Sequence, residues 1–266
     1  MELIMRFHLH PARACCPLAV AMLLLPMTAH AQVFEVIHPD VERGGFELEV
    51  LGGTSLAGVA SGDERAAFEI GLSFGVTDFW KTGLAVEIAD PKVGRLEYEA
   101  TEWENMFLLF GDHGEDHEHG HESGAGLGAL GFYVKLEIPN AGGIDDGAIV
   151  VGPALEARFG AVETVFNLFA EFPFEGGEDP GLVYAAQASV PVAEGLALGA
   201  EVHGGWEGAF GDDVPLSDNT HVAGPALYGK IAAGQGRVIE PRLALLFGLT
   251  DESPDAVASL NLELKF

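Results

Sequence analysis

From Ala66 to Val76 the chain alternates strictly: the even positions are Ala66, Phe68, Ile70, Leu72, Phe74 and Val76, the odd ones Ala67, Glu69, Gly71, Ser73 and Gly75. A period of two puts neighbouring side chains on opposite faces of an extended chain, so the segment predicts a strand with one apolar face. The same code recurs at Leu84-Val86-Ile88 around Glu87, and at Leu130-Phe132-Val134-Leu136-Ile138 opposite Gly131, Tyr133, Lys135 and Glu137. It returns at Ala258-Leu260-Leu262-Leu264-Phe266 opposite Ser259, Asn261, Glu263 and Lys265. Read throughout, the pattern predicts twelve strands, near 45–54, 65–76, 80–89, 95–109, 127–138, 147–159, 163–174, 182–191, 195–206, 220–232, 237–249 and 256–266. In 95–109, Leu96, Tyr98 and Ala100 alternate, but Glu102-Trp103-Glu104 disturbs the phase and predicts a bulge. No segment has a helical period.

A soluble sandwich also alternates, so other features decide the class. The predicted strands run ~10 residues or more, a length that crosses a membrane at a tilt, whereas soluble strands average ~5–6. Their polar faces are mostly Gly, Ala and Ser with single charges, as the inside of a narrow barrel requires. Connections after the second, sixth, eighth and tenth strands are short, at Thr77-Asp78, Ala161-Val162, Ala193-Glu194 and Ala233-Gln235, while those after odd strands tend to be longer and polar. Short periplasmic turns and long outer loops are the mark of an all-β, antiparallel, up-and-down transmembrane β-barrel. The chain ends in a strand on Phe266, resembling the terminal signal read by the outer-membrane assembly machinery.

Residues 1–31 read as a secretory signal peptide. Arg6 and Arg13 precede an apolar run from Leu18 to Pro26, and Ala29-His30-Ala31 sets small residues before a cut near Ala31. The run falls short of the ~20 residues that span a bilayer. Both cysteines, Cys15 and Cys16, lie in this segment, so residues 32–266 contain no thiol chemistry and no disulfide. The chain holds 41 acidic against 13 basic side chains, which excludes nucleic acid as a partner. Its 48% hydrophobic content excludes a disordered polyanion. The expected location is the outer membrane of a Gram-negative bacterium, with outer-membrane lipid as the surrounding partner.

With the apolar face toward lipid, the lumen receives Glu69, Glu87, Glu137, Glu156, Glu171, Glu201, Glu240 and Glu263, faced by Lys135, Arg158, Arg242 and Lys265. Barrels of ~8 strands are filled by side chains and those of ~16 or more hold a channel, so twelve admits two readings. The charges either brace a closed barrel or line a pathway that favours cations and polar neutral solutes. Whether the stretch from Gln32 to Asp40 plugs the lumen or hangs in the periplasm stays open.

The most unusual segment, at 111–124, contains His113, His117, His119 and His121 with Asp116 and Glu118 among its carboxylates. Imidazole and carboxylate suit Zn, Cu or Ni, but the surrounding glycines preorganise nothing, so the expectation is loose binding with no required cofactor. In a twelve-strand count the insert faces the periplasm. This supports a second reading beside a channel for small solutes: a metal-binding barrel in periplasmic metal handling. There is no enzyme signature and no catalytic residue to nominate: His38, His203 and His221 keep no Ser/His/Asp spacing, although His203 and Glu201 share a strand face and His221 lies on the next strand, where they could form a small polar cluster at the lumen or rim.

Gly75-Val76-Thr77-Asp78-Phe79-Trp80 with Thr82-Gly83-Leu84, Ala100 to Phe107, and Gly128 to Pro139 together resemble the outer-membrane barrels of the MetA-pathway-of-phenol-degradation, or transporter, family. The resemblance covers about a third of residues 32–266. It implies a twelve-stranded barrel with a solute-channel role and supplies no catalytic residues. The histidine-rich insert departs from that pattern.

Overall fold

The computed structural model describes residues 33–57, 66–92, 95–111, 125–141, 143–211 and 215–266. The signal-peptide segment and the histidine-rich residues His113, Asp116, His117, Glu118, His119 and His121 lie outside the described residues.

The described chain is all β apart from two 3-10 turns. The strands are β1 (Phe46–Ala57), β2 (Ala66–Thr77), β3 (Trp80–Lys92), β4 (Arg95–Phe110), β5 (Ala125–Pro139), β6 (Ala148–Phe159), β7 (Val162–Pro173), β8 (Gly181–Ala193), β9 (Leu196–Trp206), β10 (His221–Gly229), β11 (Ile231–Gly234), β12 (Arg237–Gly248) and β13 (Ala256–Lys265). Apart from β10 and β11, each pairs antiparallel with its chain neighbours, and β1 closes the sheet on β13. β10 and β11 together form one position in the wall. Both pair with β12, and the register from Tyr228↔Arg242 to Ile231↔Ile239 is continuous. The predicted single strand at 220–232 is therefore split at Lys230. Opposite the split, Pro241 has no N–H to give the ladder and its ring crowds Gly229, while the Lys230 N–H turns to the Gly195 carbonyl at 2.8 Å. The result is a closed, antiparallel, twelve-strand barrel. Closure removes both sheet edges and satisfies the backbone within the wall, the condition for strands to cross hydrocarbon.

The alternation read from the sequence is the alternation of the wall. On β2, Phe68, Ile70 and Leu72 are exposed outside, whereas Ala67 and Glu69 are 0% and 8% exposed and point inward. The outer apolar band is bounded by aromatic rings. At the end carrying Phe46 and Phe266, Phe46 packs on Phe74 at 4.6 Å and on Phe266 at 5.8 Å, and Trp80 stacks on Phe107 at 6.2 Å. Such girdles mark the two membrane–water boundaries of a barrel.

The bulge in β4 lies at Glu99, earlier than the sequence suggested. Glu87 pairs with Ala100 and Ile88 with Tyr98, leaving Glu99 unmatched. Leu96 and Tyr98 thus face outward, but Ala100 turns inward with Glu102 and Glu104 while Trp103 stays outside. The connection between β3 and β4 is another departure, because β3 continues to Lys92 and leaves only residues 93–94. Apart from the histidine-rich insert, the remaining long connections gather at one end. The turns at 78–79, 160–161, 194–195 and 235–236 share the opposite end with Phe46 and Phe266, and β4 and β5 flank the histidine-rich insert there. Gly160 and Gly195 make two of these turns with φ of +64° and +66°, where a β-carbon is strained.

If the apolar face meets lipid, Ile70→Arg, at the mid-height of β2, should cost about 2–4 kcal/mol, whereas Leu56→Arg near the loop end should cost about 0–1 kcal/mol. Denaturant unfolding in lipid bilayers measures both, and equal costs would contradict the membrane assignment of this face.

Candidate lumenal site

The lumen is not empty. Residues 33–45 pass through it from the short-turn end, where the Gly44 N–H bonds the Gly75 carbonyl at 2.8 Å, toward the loop end. Gly75 is required there, because a β-carbon would sit 1.8 Å from the Glu42 carbonyl oxygen. Gly131 makes a second close approach, to Pro39.

The inward apolar side chains of the segment pack against apolar residues of the wall, large and small. Val41 packs with Met106, Leu108, Tyr133 and Phe169, Val36 with Val165 and Ala185, and Val33 with Ala67 and Ala89. Phe34 is held by Val222, Ala226, Ala244, Leu246 and Val257, with its ring 5.3 Å from that of His203. The segment's backbone groups cannot reach water freely and are met by wall side chains. Asn167, 0% exposed, accepts from the Ile37 N–H and donates to the Ile37 carbonyl, both at 2.8 Å. Arg242 donates to the Phe34 carbonyl at 2.9 Å.

Arg242 is also the centre of the most buried charged group. It makes a forked contact to Glu201, its Nε donating at 2.6 Å and its second nitrogen contacting the other carboxylate oxygen. Glu201 further accepts from Tyr228 at 2.8 Å and lies 3.0 Å from His203 Nε2. Glu201 and Arg242 are 3% and 7% exposed. His221 does not join this cluster. It faces away from the lumen, bonded to Tyr184 at 2.8 Å and to the Leu216 carbonyl at 3.0 Å, because adjacent strand positions reverse the side-chain direction.

Asp40 ties the base of the segment to two strands at once. Its oxygens lie 3.0 Å from Lys81 Nζ and 2.8 Å from Lys265 Nζ; Lys81 also reaches Glu47 at 2.7 Å and Lys265 reaches Glu240 at 3.0 Å and Glu263 at 3.4 Å. Burial opposes the ionised form, yet the Lys265 and Lys81 ammonium groups hold the Asp40 carboxyl well below the usual carboxylate range. A depressed carboxylate contributes stability above its ordinary pKa, so this tether is intact at neutral pH and is lost only as the solution becomes strongly acidic. With 41% of the Asp40 side chain open to the lumen, solvent screens part of the gain.

The other lumen candidates distribute around this segment. Lys135 bonds Glu102 at 2.7 Å and lies 3.5 Å from Glu137. Glu156 is 3.8 Å from His38, whose Nε2 is 3.2 Å from Gln187. Arg158 pairs with Glu163 at the short-turn rim. Glu171 lies inward near the loop end of β7, and Glu87 lies beside Glu69 across the β2–β3 ladder. The sequence reading missed Glu47, Glu49, Lys81, Glu102 and Glu104 as lining residues; Lys81 adds a fifth cationic side chain to the four expected. Glu47 and Glu49 were legible, since they alternate with Phe46, Leu48 and Val50, whereas Glu102 and Glu104 were obscured by the bulge at Glu99.

One part of the lining concentrates carboxylates, with Lys135 on Glu102 and Lys81 at the adjoining cavity. Oxygens of Glu69, Glu102 and Glu104 lie within 4.8 Å of one another. Glu35 of the segment shares a cavity of about 90 Å³ with Glu49, Glu104, Tyr133 and Asn261. Burial, then Glu49, Glu104 and Glu69, push the Glu35 carboxyl well above the usual range.

These features define an outer-membrane-type β-barrel with an internal segment. No protein-family model and no curated protein matches the chain. Among solved structures it is similar in fold to an outer membrane channel from Pseudomonas putida F1, at 12% identity over 88% of this chain and 99% of that one, with a TM-score of 0.55. Matches at lower TM-scores include a KdgM porin in complex with disordered oligogalacturonate, at 0.48 with 6% identity over 83% of this chain and 98% of that one. OprD from Pseudomonas aeruginosa matches at 0.37 with 12% identity over 83% and 66%.

Arg242→Ala strands the Glu201 carboxylate and should destabilise the barrel by about 3–5 kcal/mol, whereas the double change Glu201→Leu with Arg242→Met should recover most of the loss. Equilibrium unfolding of the three proteins checks this. Asn167→Ala removes two bonds to Ile37 and should speed amide exchange across residues 33–41 at least tenfold, with β7 protection little changed.

Proposed function

We propose that this protein is a channel for small solutes in the outer membrane of a Gram-negative bacterium, closed in the present state by its own residues 33–45. The observation that carries the reading is how the lumen is filled. Gly75 and Gly131 leave room on the wall for the close approach of Glu42 and Pro39, and the apolar side chains of the one tethered segment, Val33, Phe34, Val36 and Val41, pack against the lining along its length. A barrel evolved only as a solid support closes its interior with its own bulky side chains. Here withdrawal of residues 33–43 opens a polar path, because the backbone ladders that hold the wall do not involve them.

Carboxylates outnumber cationic groups along the lining, which favours cations and polar neutral solutes over anions. The outer membrane channel of similar fold supplies a precedent for a channel of this architecture. No catalytic constellation accompanies the lumen among the described residues, and a non-enzymatic role is the reading proposed.

In planar bilayers the protein should show long closed periods with brief cation-selective openings, and Asn167→Ala should raise the open fraction several-fold. Silence of both proteins at every voltage would overturn the channel reading and leave a braced, closed barrel.

A further inference from the structure

The internal segment carries two carboxylates with opposite surroundings. Asp40 lies between Lys81 of β3 and Lys265 of β13, at 3.0 and 2.8 Å. The same two ammonium groups also hold Glu47 of β1, Glu240 of β12 and Glu263 of β13, so Asp40 enters a place where its charge is met. Glu35 opens instead on the cavity of about 90 Å³, where the wall presents Glu47 and Glu49 from β1, Glu104 from β4 and Glu263 from β13, with Tyr133 from β5 and the segment's own His38 and Asp40. Glu69 of β2 adds like charge to the same surroundings. Lys81 also lines the cavity but is turned to Asp40 and Glu47, and Lys135 of β5, whose charge acts on Glu35 as well, is bonded to Glu102 and close to Glu137.

Both carboxylates move with one segment, and that segment is held by side chains and not by the ladders of the wall. Once withdrawn, each meets water and returns to the ordinary range, about 3.9 for Asp and about 4.3 for Glu. Lodging therefore changes their proton affinities in opposite directions. Burial works against the Asp40 charge, but its two lysines hold the carboxyl low, so its contribution to lodging is present above about 3.9 and is lost as the solution grows more acidic. Glu35 is pushed up by burial and then by Glu49, Glu104 and Glu69, so its contribution is present below about 4.3 and is lost as the pH rises toward the raised value. Each pH unit in that upper range weakens lodging by about tenfold.

We propose that Glu35 and Asp40 make occlusion of the lumen proton-controlled: the segment lodges most firmly in mild acid, and a rise in pH loosens it by ionising Glu35 among the carboxylates of the wall. The switch rests on the reading of residues 33–45 as a removable occlusion, but its test needs no conductance. Exchange indifferent to pH would leave the channel reading in place, and silence in planar bilayers would leave the switch in place.

The test uses the whole protein, purified in detergent micelles and held at pH 5, 7 and 8. Amide exchange of residues 33–41, divided by the intrinsic rate of each amide at that pH, should show protection that falls at least tenfold from pH 5 to pH 8, with β7 protection as the internal reference. Equal protection at the two ends of the range would overturn the proposal, and this comparison needs no variant. Glu35→Gln removes the charge and keeps the shape, so its protection should stay within about twofold across the range. A fall as large as that of the unaltered protein would assign the dependence to the wall and overturn the role of Glu35. Asp40→Asn should lower protection at pH 5 by about tenfold while the fall from pH 5 to pH 8 persists. Protection equal to that of the unaltered protein at pH 5 would remove Asp40 from the switch.

Discussion

The wall of this protein must satisfy two solvents one residue apart. Hydrocarbon admits no charge cheaply, so every ionisable side chain at membrane depth has to take the inward parity of its strand. A closed barrel of twelve strands then gathers those charges in a space too narrow to hydrate them all. The internal organisation follows from that confinement. The Glu201–Arg242 pair recruits Tyr228 and His203, Lys135 is shared by Glu102 and Glu137, and Lys265 is shared by Asp40, Glu240 and Glu263. Lys81, Lys135 and Lys265 each serve more than one carboxylate because cationic groups are the minority in the lumen.

The internal segment is a second answer to the same constraint. It brings apolar side chains to the apolar residues of the lining and one well-placed carboxylate, Asp40, to two lysines of the wall. Its bonds differ in kind from those of the wall. The strands are held by continuous backbone ladders, but residues 33–41 are held by side chains: Asn167 at Ile37, Arg242 at Phe34, Lys81 and Lys265 at Asp40. A unit held by few, separable contacts opens at lower free energy than the ladder that encloses it. That hierarchy is what a gate requires, and it is set by chemistry visible in the contacts.

Much of the wall was legible in the residues, because a period of two survives without any tertiary information. Phe68, Ile70 and Leu72 announce the outer face of β2, and the same parity places Glu137 and Lys135 on β5 and Glu263 on β13 inside. Where the reading slipped, a local feature broke the period. Glu99 inserts one residue into β4 and reverses the faces beyond it, so Ala100 and the Glu102-Trp103-Glu104 run could not be assigned by alternation alone. Pro241 splits a strand that lies opposite it, an effect carried across the ladder and not along the sequence. The lumenal segment was the least legible part. Val33 to Gly45 has no periodic face of its own, since its successive side chains meet different walls of a tube, and only the assembled barrel gives each a partner.

The segment brings one group that its surroundings do not welcome. Val33, Phe34, Val36, Val41 and Asp40 all gain apolar contacts or opposite charges, but Glu35 shares its cavity with Glu49 and Glu104. A plug selected only for tight closure would carry an amide or an apolar residue at that position, which would remove the repulsion without altering the backbone. A carboxylate there makes closure conditional. It favours the lodged state when a proton neutralises it and opposes that state when ionised, because burial and the neighbouring carboxylates both act against its charge. The balance between the lodged and the released segment thus depends on this side chain, set against the acidic wall around it, as well as on the tethers at Asn167, Arg242, Lys81 and Lys265.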